Sequence, residues 1–395
     1  MINGIPSILV DPKFDTQKRL IESIPEEYLK YVDFLDLGDM IYPPAFNIFR
    51  RRNNSTIENM LITQSFISCI KKQFSKREWS YKIQRMFQIS SESILTTKDA
   101  TISELFWILS DKDYRGYVIE IIKRSLETNP ENKSQLKKLL KYWIDYDKLS
   151  PQIQTREAEP VLNKLSLFLS NRFINAIVSQ RESYDFRKSG DIGKTTIINL
   201  PEGIINSDNM LLLSNFINKS IWLDYQSRDE LDMNKRYPVK WIIDEAHTVV
   251  DEDFINILTK SRSRRIGITL ISQALSNFDN RNYKMSQVIS DNCKNKFLFR
   301  LGFFDAKSIC EDFAPLKASD IANCKDHHYY GKIILPDGSI SNPFYAKCLS
   351  PAKVLRNYDE YIKKHHSGRL KINEIEDNID NRLTKIKVIN KLKNI

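Results

Sequence analysis

The chain opens with short apolar runs closed by turn formers. Ser7-Ile8-Leu9-Val10 stops at Asp11-Pro12, and Tyr31-Val32-Asp33-Phe34-Leu35 stops at Asp36. Brief, branched runs of this kind predict strands buried on both faces of a parallel sheet. From about Ser55 to Val178 the spacing becomes helical, as in Ile102, Leu105, Phe106 and Leu109, or Val161, Leu165, Phe168 and Leu169. Ser55-Thr56-Ile57-Glu58 and Thr101-Ile102-Ser103-Glu104 read as helix starts, in which a hydroxyl accepts first-turn N–H groups and the Glu reaches back. Strand signals return at Thr196 to Leu200, Val239 to Ile243, Ile268 to Ile271, Lys296 to Leu301 and Tyr329 to Leu335. Between the first two of these, Leu212, Leu213, Phe216, Ile217 and Ile221 share one helical face. Such alternation predicts an α/β fold with a mostly parallel sheet, interrupted by an all-α insertion.

The expected organisation is residues 1–52 as the first part of the α/β core, 53–185 as the insertion, 186–349 as the second part and 350–395 as a basic tail. The tail reads equally as a mobile arm or a packing helix. A length of 395 residues exceeds what one compact core usually holds, and 41% hydrophobic with 28% charged residues excludes a disordered chain. The net charge of +10 favours an acidic partner such as nucleic acid, although an AT-rich genome produces the same Lys and Asn bias. The five cysteines form no CxxC pair and have no His at zinc spacing, so they read as core residues in a reducing compartment. With no long apolar run and no signal-peptide pattern, the expectation is a cytoplasmic protein, with peripheral attachment at the inner face of the membrane left open.

The strongest chemical signal is Val239-Lys240-Trp241-Ile242-Ile243-Asp244-Glu245-Ala246-His247, an apolar strand delivering two carboxylates at its C-terminal end. In phosphate-loop ATPases this arrangement lets the first carboxylate organise Mg2+ and the second orient the attacking water. A strand that merely ends in acids is the plain alternative. Ile268-Thr269-Leu270-Ile271-Ser272-Gln273 repeats the pattern with an amide, and parallel strands open onto one crevice, so Gln273 would sense a γ-phosphate beside Asp244 and Glu245. Between the two lies an Arg cluster, Arg262, Arg264 and Arg265, suited either to phosphoryl charge across a subunit interface or to a solvated helix end. Gly190-Asp191-Ile192-Gly193-Lys194-Thr195 imitates a phosphate loop but has Lys188 where the first Gly belongs, and it precedes a strand instead of following one.

Taken together, these residues resemble the motor portion of conjugative type IV coupling proteins and related HerA-FtsK-class DNA translocases. The similarity is distributed over Val10 to Asp15, Ser23-Ile24-Pro25, Asp33 to Asp36, Tyr42 to Asn47, Trp79 to Arg85, Ser110-Asp111-Lys112, Pro160 to Leu165 and Ile198 to Gly203. It continues through the strand ending in Asp244-Glu245, then Arg262 with Gly267, Gln273, Phe299 to Gly302, and Asp305-Ala306, spanning roughly residues 5 to 348. The resemblance implies a RecA-like fold, a hexameric homo-oligomeric ring, DNA as cargo, secretion-channel or relaxosome proteins as partners, and ATP with Mg2+ as cofactors. It assigns Asp244 to magnesium, Glu245 as base, Gln273 as γ-phosphate sensor, and Arg262 or Arg300 as a finger for a neighbour's site. It also sets Asp11 and Asp15 near the active face, where Lys13-Phe14 departs from the usual His-Gly.

In that family a strand, a P-loop and its helix come before the segment matching Ile5 to Asp15, and the expectation is that this chain lacks them. Two functions remain: a DNA-translocating ATPase motor that is incomplete for hydrolysis in this chain, and a non-hydrolytic DNA-binding or ring-scaffold subunit.

Overall fold

The structure, a computed structural model, describes residues 4–53, 55–72, 74–75, 77–98, 100–128, 130–201, 207–280, 283–366 and 369–393. Glu202 and Gly203, the end of one segment carrying the resemblance, lie outside them. The chain divides into two compact units: Met1–Asp33 with Gly190–Asn199 and Arg228–Tyr361, and Phe34–Ser189 with Leu200–Ser227 and Ile362–Ile395.

The first unit is built on a five-stranded sheet formed by β1 (Ser7–Asp11), β2 (Val32–Asp36), β3 (Thr195–Asn199), β4 (Val239–Ile243) and β5 (Ile266–Leu270), in the order β2-β3-β1-β4-β5. The chain passes to the second unit's residues within β2. β1 pairs in parallel with β3 and β4, and β4 pairs in parallel with β5. The apolar runs explain the arrangement: Ile8, Val10, Ile197, Ile198, Trp241 and Ile243 are buried, as central parallel strands require on both faces. β5 differs. It is an outer strand of this sheet, and Gly267 and Thr269 are exposed. Helix α1 (Phe14–Glu22) follows β1 after a two-residue turn, and its buried Gln17 donates Nε2–H to the carbonyls of Asp11 (2.6 Å) and Ile198 (3.1 Å).

The later strand signals form a separate sheet, contrary to the expectation that they extend the parallel one. Lys296–Leu298, His328–Lys332 and Phe344–Lys347 pair antiparallel. The last two are joined through a turn in which Gly338 has φ +86°, a conformation that glycine adopts without strain. Leu298 and Tyr330 pack on a small core of Ala306, Ile309, Phe313 and Ile321.

The second unit is helical, including Thr56–Lys71, Tyr81–Ile94, Ile102–Ser110, Lys112–Thr128, Lys133–Asp147 and Pro151–Leu169. Stacked and edge-on rings of Phe49, Phe66, Phe87 and Phe216 fill its centre. The helix starts behave largely as the sequence predicts. Ser55 Oγ accepts the Glu58 N–H at 3.1 Å, but the Glu58 carboxylate reaches past Ser55 to the N–H groups of Arg52 and Asn53. Thr101 Oγ1 accepts the Ser103 N–H at 3.2 Å and donates to Glu104. Within residues 350–395 lie the helices Tyr358–His365 and Ile372–Lys393, and Ile372, Ile375 and Ile379 of the second pack with Ala176. No helix among the described residues is long and apolar enough to cross a membrane.

Candidate active site

Three parallel strands deliver their C-terminal ends to one place. β1 ends in Asp11, β4 runs into Asp244 and Glu245, and β5 runs through Ile271 and Ser272 to Gln273. Backbone pairing continues beyond the strands: Asp244 N–H donates to Val10 O (2.9 Å), Ile271 N–H to Ile243 O (2.9 Å) and Ala246 N–H to Ile271 O (2.8 Å). The groups that follow the strands are therefore held as firmly as the strands themselves.

Glu245 sits in the left-handed region, φ 42° and ψ 46°, a conformation costing a non-glycine residue about 1 kcal/mol. Strain of this kind persists only where the surroundings enforce it, and it concentrates at functional positions. Asp244 Oδ1 accepts the Glu245 N–H at 2.8 Å, and Thr248 Oγ1 donates to Glu245 O at 2.8 Å, which fixes the turn. The buried Glu245 carboxylate then meets two donors on one oxygen: Gln273 Nε2 at 2.8 Å from Oε1, and the Lys13 ammonium in an ion pair with the same atom. His247 Nδ1 stands 3.7 Å from Oε2 and is hydrogen-bonded to Ser272 Oγ at 3.2 Å. Burial pushes the Glu245 pKa upward, but the hydrogen bonds from Lys13 and Gln273 outweigh it and hold the carboxyl below its usual range.

Asp11 is fully buried. Its Oδ1 accepts the Lys13 N–H at 2.6 Å, whereas Oδ2 is buried with no hydrogen-bond partner. Burial raises its pKa from 3.8 to about 6, with the nearby charges of Asp244 and Glu245 acting in the same direction. An orphaned buried carboxylate oxygen beside two further carboxylates fits a hydrated divalent cation. Among the described residues no three acidic, His or Cys side chains form a self-sufficient metal site. Mg2+ does not require one, because it commonly takes one or two carboxylates and completes its shell with water and phosphate oxygens.

The remaining sequence-predicted residues are dispersed. Asp15 is exposed in the first turn of α1 and makes no hydrogen bond or ion pair with this group among the described residues. Arg262 is exposed and precedes β5, so it lies at the opposite end of that strand from Gln273. Arg264 is structural: it is buried, and Nη2 bonds Asp229 at 2.6 Å. Arg300 follows the strand Lys296–Leu298, with Nε on Cys324 O (2.9 Å) and Nη2 on Asp326 (2.8 Å). Lys194 of the phosphate-loop imitation pairs with Asp33 at 2.8 Å and leads into β3. Sequence reasoning missed Lys13 as a member of the site. Its position two residues after Asp11, at the mouth of the same strand, was the available signal.

Residues 238–313, the stretch holding Asp244, Glu245, Arg262, Gln273 and Arg300, match a protein family described as the TraM recognition site of TraD and TraG. Among solved structures, the bacterial conjugative coupling protein TrwBdeltaN70 in an unbound form is similar with a TM-score of 0.50 and 12% identity, over 89% of this chain and 87% of that one. Plasmid coupling protein TrwB in complex with ADP and Mg2+ is similar with a TM-score of 0.51 and 13% identity, over 89% and 86%. TrwB with a non-hydrolysable ATP analogue gives 0.50 and 13%, over 90% and 87%. No curated protein sequence gives a significant match. By the match over residues 238–313 and by this shared architecture the chain is similar to the type IV coupling proteins, and its fold is that of a RecA-like P-loop NTPase core with an inserted all-α region.

Proposed function

We propose that these residues form the Walker B-bearing part of an ATP-driven, DNA-translocating motor of the coupling-protein kind. One observation carries the reading: a strained, buried Glu245 follows Asp244 at the end of β4 and is bonded by Gln273 from the end of β5. In this reading Asp244 and Asp11 would hold Mg2+, which would supply charge neutralisation for the phosphates. Glu245 accepts a hydrogen bond from the attacking water and orients it. Gln273 couples the presence of the terminal phosphate to the Glu245 carboxylate it already touches. Asp15 lies at the rim.

Arg262 and Arg300 are proposed as fingers for a neighbouring subunit's nucleotide. Arg262 lies at the wrong end of β5 to reach this chain's own Glu245, which favours action across an interface in a homo-oligomeric, hexameric ring. The net charge of +10 suits DNA as cargo. The family match over residues 238–313 suits recognition of a relaxosome or secretion-channel protein by this same stretch, at the inner face of a membrane. Residues 53–185 are read as the insertion, 1–52 and 186–349 as the two parts of the motor core, and 350–395 as the tail.

No GxxxxGK followed by Ser or Thr occurs in the 395 residues, so this reading assigns no phosphate-holding loop to them. Among the described residues β5 is an end strand of the sheet, and an end strand is a place where a further strand can pair. The second reading, a non-hydrolytic DNA-binding or ring-scaffold subunit, is favoured by Lys13, which already neutralises Glu245. Turnover of ATP in the assembled motor separates the two. Loss of about 100-fold or more in kcat on Glu245→Gln, with DNA binding retained, supports the motor; salt-sensitive DNA binding with no turnover supports the scaffold.

A further inference from the structure

Three carboxylates and one ammonium group meet at the end of β1 and β4, and the ammonium is the least constrained of them. The Lys13 side chain is 56% exposed, reaches inward from the turn before α1, and pairs with Glu245, whose own side chain is 8% exposed. Its backbone N–H simultaneously binds Asp11 Oδ1, so one residue ties the two buried acids together. Asp11 Oδ2 is buried and has no hydrogen-bond partner, an oxygen that a cation could satisfy. A flexible four-carbon stem with a compact point charge is suited to reversible occupation of such a place.

We propose that Lys13 is a positioning residue whose ammonium acts as the resident counter-cation of Glu245 and is driven off it when a divalent cation binds the neighbouring carboxylates. The inference rests on reading Asp244 and Glu245 as the magnesium end of the site, and it adds a control: metal and Lys13 compete for the same negative charge. With Lys13 on Oε1, Glu245 is charge-balanced and held against Gln273. Asp11 and Asp244 would hold such a cation, and its positive charge would repel the Lys13 ammonium, whose side chain is 56% exposed. Glu245 is then released with Gln273 still beside it.

Mn2+ used alone, without nucleotide, tests the competition on the full chain by titration followed through its electron paramagnetic resonance signal. Lys13→Met is expected to bind Mn2+ about tenfold or more tightly than wild type, because a unit charge close to the site is removed. Lys13→Arg retains the charge and is expected to match wild type. Adding Asp244→Asn to Lys13→Met is expected to abolish the gain. Equal Mn2+ affinity in Lys13→Met and wild type overturns the proposal, as does a gain that survives Asp244→Asn. Since no ATP is present, failure here leaves the hydrolysis reading to its own test, and failure of that test leaves this one standing.

Discussion

Two groups of buried and partly buried acids, one in each unit, follow opposite logic. In the helical unit Asp224 is enclosed by Arg50 and Arg52, with its Oδ2 accepting the Phe186 N–H at 2.8 Å, while Asp185 takes Arg50 at 3.0 Å and also pairs with Arg52. Every charge there meets a fixed, planar guanidinium, as structural ion pairs require. At the end of the parallel sheet Asp11, Asp244 and Glu245 share one exposed lysine, one oxygen of Asp11 has no hydrogen-bond partner, and the backbone at Glu245 is strained. The first arrangement stabilises a fold. The second holds unspent negative charge, which is useful only if something positive arrives.

That contrast predicts a ranking of effects. The largest belongs to Asp224→Ala, which takes one of two shared carboxylates from Arg50 and Arg52, leaves Asp185 to face both, and removes the acceptor of the Phe186 N–H; it is expected to lower stability by about 3 kcal/mol in urea unfolding. A loss below about 1 kcal/mol would remove the distinction between the two groups. Next comes Asp11→Asn. The Asp11 pKa is raised to about 6 from 3.8, so the folded protein retains a proton that the unfolded chain has released. Stability is therefore lost as pH rises from about 4 to about 6 and stays lost above it. The amide keeps the acceptor for the Lys13 N–H, so Asp11→Asn is expected to stabilise by about 2 kcal/mol at pH 8 and to have no effect at pH 4, by thermal unfolding. Equal effects at both pH values would show that the acid carries no penalty. The smallest is Glu245→Gln, expected to change stability by no more than about 0.5 kcal/mol, since its main charge partner is more than half exposed.

Much of the site was legible because it depends on local pattern. Apolar runs located β1, β4 and β5, and a carboxylate or amide directly after each run is enough to bring Asp11, Asp244, Glu245 and Gln273 to one edge once the strands are parallel. The place of Arg262 follows from the same rule, since it precedes its strand whereas Glu245 follows its own. What remained hidden depends on distant contacts. Lys13 and Glu245 are 232 positions apart, and only the pairing of β1 with β4 makes them neighbours. The left-handed backbone of Glu245 has no sequence signature, because glutamate is not a residue that favours it. The separate antiparallel sheet was not legible because a strand signal in the sequence carries no information on which strand it pairs with or in which direction.

The most direct test of the central claim is ATP turnover by these 395 residues joined to a strand, phosphate loop and helix of the GxxxxGK-Ser/Thr kind, compared with the same assembly carrying Glu245→Gln. The account predicts DNA-stimulated hydrolysis that falls about 100-fold or more with Glu245→Gln while Mg2+-nucleotide still binds. Hydrolysis that is unchanged by Glu245→Gln would contradict it.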